Sequence, residues 1–563
     1  MLLSSCAGPK LEPVTGEEHG DPQLLSEVDG LVRTVMRKNH IPGLSITVVH
    51  EGTTVVLRGY GAADLDNDVP VTPDTVFRAY SIAKLFTGLE VVRLAQEGRI
   101  DLDAPLREAV PEWSGMRYSE PGGAITVRQL LAHRGGLPRN SNFHPEGGVS
   151  IDEALRGAVE SLAGAPAAYP PGERHKYSNV GYNVLGRAVE VARNQSFAVY
   201  MTYDALPDYG MKRSAYFTGF LPDDAQTATG YVREKRRFRP TELFNLNELA
   251  SGNLFTSASD MAAFMKTILE TTEESGGPLL YTSLRASFAP QYASADDPER
   301  TGLAWATSEA LAGERMVWHQ GGDADANALV ALFPDSRTGV CLLSNSGSYE
   351  GVKLLSLAVD CLRAVRANQG IPEPERPVPV ATVSDEPEPE QVAGRYVAYG
   401  KLMTIKSRGV KLKADFGIAS LRMQPAGRTE RGMEYTLSHW LGGLISGAFP
   451  IDLKWVRIIV PPLNPGEQAG HVWFAASDCA YEYCPRYPVP QDIPKSWYDT
   501  AGDYAGCTVT LKDSALHMSG VGYLHERAPG LFEVVGGVYD GETVARDPAT
   551  GALAHQGFVY DRK

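Results

Sequence analysis

The chain has 563 residues, 43% of them hydrophobic and 21% charged, a balance that calls for folded domains with more than one core. It excludes a mainly disordered, collagen-like or coiled-coil chain. With 53 basic and 68 acidic residues the net charge is −15, and no basic run offers a surface for nucleic acid. No stretch reaches the ~18–20 uninterrupted apolar residues of a membrane-crossing helix.

At the N-terminus, Leu3-Ser4-Ser5-Cys6 resembles a bacterial lipobox, in which Cys6 would carry a lipid anchor. Almost nothing precedes Leu3, whereas an export signal needs a charged start and an apolar core of ~7–15 residues. An exported, periplasmic or anchored protein is the expectation, with a cytoplasmic one as the alternative. Six cysteines in this length are too few for a disulfide scaffold. Cys341 and Cys361 sit in apolar segments and read as buried thiols. Cys479 and Cys484 are close enough in sequence for a local disulfide or for two unpaired thiols. No Cys/His cluster has zinc-site spacing, so neither a metal nor a cofactor is expected.

In chain order, Leu24, Leu25, Val28, Leu31, Val32 and Val35 have helical spacing. Leu44, Ile46 and Val48 then alternate with Ser45, Thr47 and Val49 as a strand does. Thr54 to Arg58 reads as its hairpin partner across Glu51-Gly52. The middle of the chain is helical and loop-rich. Ala328 to Phe333 and Gly339 to Ser344 are apolar strands, and Leu354 to Val365 is an apolar helix. Strands at both ends with helices between them predict one antiparallel sheet carrying an inserted helical lobe.

Prolines 372, 374, 377, 379, 387 and 389, set among acidic residues, mark an extended linker over residues 371–391. Beyond it the texture is short strands and glycine-rich turns, as in Lys401 to Ser407, Leu516 to Met518, Leu531 to Val535 and Gln556 to Tyr560. Leu402 falls on the polar face of its strand and spoils strict alternation. Ala393-Gly394-Arg395-Tyr396 returns loosely as Ala501-Gly502-Asp503-Tyr504, an echo that allows two β units. Trp440, Trp455, Trp473, Tyr481 and Tyr483 read as barrel core. The expected organisation is therefore a leader over 1–19, an α/β domain over 20–370, the linker, and an antiparallel all-β, barrel-like region over 392–563. That last region is one lipocalin-like barrel or two units split near 485–497.

Three motifs carry chemistry. In Ser81-Ile82-Ala83-Lys84, helical spacing would place Ser81 and Lys84 on one face, a turn apart. An amine in apolar surroundings loses proton affinity and could take the serine proton. About one such spacing is expected by chance in a chain of this composition. Tyr177-Ser178-Asn179 offers a phenol for proton relay and an amide that can both donate to and accept from a substrate. In Trp318-His319-Gln320-Gly321-Gly322, the glycines would let backbone approach a ligand, and the N–H of Gly322 with that of Ser81 would form an oxyanion hole.

Taken in order, Phe77 to Thr87, Leu130-Leu131-Ala132-His133-Arg134-Gly135-Gly136-Leu137-Pro138, Tyr177-Ser178-Asn179 and His319-Gln320-Gly321-Gly322 resemble the landmarks of the serine β-lactamase and penicillin-binding-protein superfamily. The likeness spans about residues 20–368 and is greatest to the class C and S12 peptidase branch. It implies an acyl-enzyme mechanism with Ser81 as nucleophile and Lys84 and Tyr177 as the proton-handling pair. It also implies that Asn179 positions the acyl group, that His319 shuttles a proton or polarises, and that Ser81 and Gly322 N–H groups hold the oxyanion. The loop of His133 is chiefly structural in that family.

One departure bears on the substrate. Many members carry Lys-Thr-Gly in the third motif, where this chain has His319-Gln320-Gly321, followed by Asp323 and Asp325. A histidine is the weaker cation at neutral pH, and the two acids would suit a substrate ammonium better than a carboxylate. The expected activity is cleavage of amide bonds in small peptides, with D-residues, as in the D-aminopeptidases this pattern resembles. The same chemistry also allows an esterase or a β-lactamase. A third reading is a penicillin-binding sensor that is acylated and does not turn over. Small molecules or short peptides are the expected partners, and the sequence leaves oligomeric state open.

Overall fold

The computed structural model describes residues 11–563 except 118–123, 141–150, 219–220, 222–225, 235–236, 243–247, 293–299, 312–313, 348–350, 373–385, 399–400, 417–419, 430–431, 439–455, 465, 476–480, 491, 538 and 557. The lipobox-like segment, Cys479, Trp440, Trp455 and most of the proline-rich linker thus lie outside the described residues.

One antiparallel sheet forms the base of the first domain. Its strands run side by side as Val14–Thr15, Thr53–Asp64, Gly43–His50, Thr338–Ser344, Ala326–Phe333, Glu314–Asp323 and Ala306–Leu311. Period-2 alternation divides the strands between two cores. Leu44, Ile46, Val48, Leu329, Ala331, Val340 and Leu342 pack beneath the terminal helices Pro22–Asn39 and Gly351–Asn368. Val49, Val317, Ala328, Val330, Cys341 and Leu343 face the opposite way, into the inserted helical lobe. Both faces are covered, which is why these strands read as continuous apolar runs. Cys341 and Cys361 are buried, one in each core, and burial pushes both thiols above their ordinary range.

The lobe is built around helix Ile82–Gln96, which is buried on nearly all sides, and helix Asn179–Arg193. The two are tied by Arg193, whose guanidinium donates at 2.6 Å to Glu90, a carboxylate with 1% exposure. Tyr200 donates to the same Glu90 oxygen at 2.9 Å. This fixed pair of helices sets the distance between the first two sequence motifs.

Beyond the linker the chain forms two eight-stranded antiparallel sheets, each in simple sequential order. The first runs from Gly394–Ala398 to Tyr481–Pro485 and the second from Gly502–Asp503 to Phe558–Tyr560. Tyr396 bridges Arg486 and Tyr504 bridges Arg562, so the first and last strands are drawn together and each sheet nearly closes into a barrel. The four-residue echo marks the same place in both. A short helix precedes each glycine, and Tyr396 donates to the Val392 carbonyl as Tyr504 does to that of Thr500. Arg486 and Arg562 reach back to the carbonyls of Ala393 and Ala501.

The irregular Leu402 has a physical cause. With its cross-strand partner Val397 it faces outward from the first barrel and packs into the core of the second. Its N–H donates to the Tyr523 hydroxyl at 3.2 Å. Val472, Phe474 and Cys484 belong to the first barrel's core, whereas Trp473, expected there, is buried with 2% exposure on the opposite face of its strand, because side chains alternate along it. Leu402→Asp should cost about 2 kcal/mol by placing a charge at this junction, read as a lower urea midpoint by tryptophan fluorescence. An unchanged midpoint would show that the barrels do not depend on that contact.

Candidate active site

Strand Phe77–Tyr80 pairs with Leu254–Thr256, and its register slips between Arg78 and Tyr80. Tyr80 takes φ of +47°, a conformation costly for a bulky side chain and sustained only by its surroundings. Those surroundings are specific: its hydroxyl donates to Asp325, and the Arg78 guanidinium lies 4.9 Å over its ring. The kink delivers Ser81 to the start of helix Ile82–Gln96, where its hydroxyl makes no capping bond and is left for chemistry.

Ser81 Oγ instead receives Lys84 Nζ at 3.0 Å and the Tyr177 hydroxyl at 2.9 Å. Lys84 has no exposed surface and donates also to the Ser251 carbonyl at 2.8 Å. Loss of water destabilises its ammonium and lowers its pKa to about 7. The Glu248 carboxylate opposes that shift and the Arg139 guanidinium adds to it. Near neutral pH a substantial fraction of Lys84 is therefore uncharged and able to accept a proton.

Tyr177 is held from both sides of the chain. The Lys176 N–H donates to the His133 carbonyl at 2.7 Å, and the Ser178 N–H to His133 Nδ1 at 3.2 Å. The His133 ring stacks 4.4 Å from that of Tyr177. Burial, reinforced by His175 and Lys84, holds His133 well below its usual pKa, so it is a neutral spacer. Ser178 caps helix Asn179–Arg193 by accepting the Gly181 N–H at 2.9 Å. At that helix start the Asn179 amide lies 2.8 Å from the Asn140 amide and 3.0 Å from Glu248 Oε1.

The third motif lies on strand Glu314–Asp323. Alternation places Val317, His319 and Gly321 on the lobe side. A β-carbon on Gly321 would lie 2.0 Å from the Ala79 carbonyl oxygen and 2.9 Å from the Ser81 nitrogen. Only glycine permits this approach, and it brings the strand bearing Gly322 against the nucleophile's backbone. Among the described residues, no group of three His, Cys, Asp or Glu is placed to hold a metal ion.

Two expectations about this motif are corrected. His319 is not a cation: burial, with Lys84 nearby, lowers its pKa to about 3, and Nδ1 is 2.8 Å from the Gln320 carbonyl. It can polarise as a neutral donor or acceptor, but it is not an imidazolium in the neutral range. Asp325 does not stand open to a substrate ammonium. It is buried, accepts from Tyr80 and from Thr241 Oγ1 at 2.7 Å, and so braces the residue before the nucleophile. Asp323 is exposed at the strand end and accepts the N–H of Ala324 at 2.7 Å.

Two residues of the site were not read from the sequence: Glu248, the carboxylate beside Asn179, and Arg139, whose guanidinium lies 5.0 Å over the Tyr177 ring. Arg139 directly follows the motif ending in Leu137-Pro138, which was a usable signal. Glu248 belongs to no motif.

A serine hydrogen-bonded to a lysine of lowered pKa and to a tyrosine, between an antiparallel sheet and a helical lobe, is the arrangement of a serine hydrolase. The Beta-lactamase family model matches residues 28–358, and the chain belongs to that family. Protein flp of Staphylococcus aureus is 29% identical over 334 residues, 58% of this chain and 64% of that protein. The chain thus spans just under two thirds of that relative's length. Among solved structures, the octameric penicillin-binding protein homologue from Pyrococcus abyssi is 23% identical with a TM-score of 0.54, covering 81% of this chain and 99% of its own. SurE is 20% identical with a TM-score of 0.56, covering 82% and 99%. Both likenesses are in fold.

If neutral Lys84 takes part in proton transfer, kcat/KM should rise with pH through an apparent pKa near 7, because the ammonium form is inactive. Glu248→Gln removes the charge that favours the ammonium and should move that limb to lower pH. A flat profile from pH 5.5 to 8.5 would exclude this role for Lys84.

Proposed function

We propose that the protein hydrolyses amide bonds of small peptides containing D-residues, through an acyl-enzyme on Ser81. The carrying observation is that Ser81 Oγ sits within 3.0 Å of both a desolvated Lys84 amine and the Tyr177 phenol. In this reading Ser81 Oγ forms a bond to the substrate carbonyl carbon as its proton passes to Lys84 or Tyr177. The N–H groups of Ser81 and Gly322 hold the resulting oxyanion. Collapse breaks the carbon–nitrogen bond, the leaving amine takes the proton, and water then releases the acyl group from Ser81.

Support for D-residues comes from the neighbours of the same fold. SurE has been solved with D-Leu, and another neighbour is titled a β-lactamase/D-alanine carboxypeptidase from Pseudomonas syringae. A free substrate amine fits the neutral His319 and the placement of Glu248 beside Asn179, where the acyl side chain would lie. Arg139 favours a second reading, since it supplies a cation for a substrate carboxylate, as a carboxypeptidase or β-lactamase requires.

The deciding experiment compares kcat/KM for D-alanyl p-nitroanilide with its N-acetyl form, and with the L-isomer, using Ser81→Ala as blank. Preference for the free D-amine, reduced at least tenfold by Glu248→Gln, is expected. Equal or better turnover of the blocked substrate would overturn the aminopeptidase reading in favour of the second one. Ser81→Ala should abolish turnover without altering the melting temperature. Acylation without turnover in the unmodified protein would instead indicate a penicillin-binding sensor.

A further inference from the structure

The second barrel docks on the catalytic domain through the segment joining its strands Leu531–Val535 and Thr543–Arg546. Tyr169, from the catalytic domain, donates to Asp540 at 2.9 Å. Gly541 has φ of +78°, and a β-carbon there would lie 2.1 Å from the Tyr169 ring. The next residue, Glu542, is 4% exposed and enters the shell behind Tyr177.

Glu542 Oε1 takes two donors there: Lys176 Nζ at 2.8 Å and the Arg139 backbone N–H at 2.9 Å. Lys176 immediately precedes Tyr177. Arg139 accepts the Asn179 N–H at 2.7 Å on its own carbonyl, and its guanidinium covers the Tyr177 ring. One carboxylate therefore fixes the backbone before Tyr177 and the segment that holds Asn179. Its other oxygen is set from its own barrel, accepting Gln556 Nε2 at 2.6 Å, with His555 Nε2 at 3.7 Å. Lys176 is buried with 4% exposure, and burial lowers its pKa while Glu542 opposes the shift. Removing one member of such a pair leaves the other buried without its counter-charge.

We infer that Glu542 is a positioning residue for Tyr177 and Asn179, so that the second barrel is a working part of the active site. The inference rests on the assignment of Tyr177 to proton transfer. Displacement of a reacting group by about 1 Å can cost about 100-fold in rate, while binding made elsewhere is retained. The loss therefore belongs in kcat.

The test is a mutant cycle on the full chain with a D-alanyl p-nitroanilide or a p-nitrophenyl ester, whichever is turned over. Glu542→Gln should lower kcat at least tenfold with KM changed less than threefold, well below its melting temperature. Glu542→Asp should recover part of that loss, and it replaces the Gln variant if the latter gives no cooperative melt. Tyr169→Phe, which loosens the same docking at Asp540, should lower the melting temperature and leave kcat within twofold. In a Tyr177→Phe background, Glu542→Gln should lower kcat by a much smaller factor than it does in the unmodified protein, the remainder being its effect through Asn179. Full additivity there, or unchanged kcat in Glu542→Gln, would overturn the inference and leave the contact as domain adhesion. A Tyr177→Phe variant with normal kcat would instead overturn the role of Tyr177 itself.

Discussion

The proposed chemistry of this protein depends on keeping water away from one amine. Lys84 begins as an ordinary lysine, and its full burial against helices Asn179–Arg193 and Leu249–Gly252 brings its pKa down to about 7. The spacing of helix Asn179–Arg193 from helix Ile82–Gln96, set in part by Arg193 and Glu90, is therefore an electrostatic parameter as well as a packing one. A lysine at the same position on an exposed helix would be charged and unable to accept a serine proton.

Ser81 is set by a second constraint, local backbone strain braced from outside. Tyr80 in a left-handed conformation is stabilised by Asp325, Arg78 and the slipped pairing of its strand. The strand of the third motif then closes on that turn, which only the missing side chain of Gly321 allows. Asp325 is remote in sequence from Ser81, and its role in the site is to fix what precedes the nucleophile.

The two barrels extend this logic beyond the catalytic domain. They repeat one plan, a short helix, a Gly-X-Tyr start and a closing arginine, and differ in what their outer faces touch. The first presents Val397 and Leu402 to the second. The second reaches Tyr169, Lys176 and Arg139 of the catalytic domain.

Much of this was legible in the residues. Apolar periodicity located the terminal helices and the central strands because packing on a sheet face requires it. The Ser81–Lys84 spacing survives as a same-face pair because three residues make nearly one helical turn. The repeat at Gly394 and Gly502 was visible, as was the break in alternation at Leu402, though not its cause. What sequence could not decide were the properties that depend on surroundings. His319 and Asp325 looked like a weak cation and an open acid, and burial made the one neutral and committed the other to Tyr80. Glu248, Arg139 and Glu542 join the site only through folding, Glu542 from 403 residues away from Arg139. Residue types and local spacing are written in the chain. Desolvation, charge pairing and contacts between distant segments come into being only when the chain has folded, because each is set by what lies nearby in space.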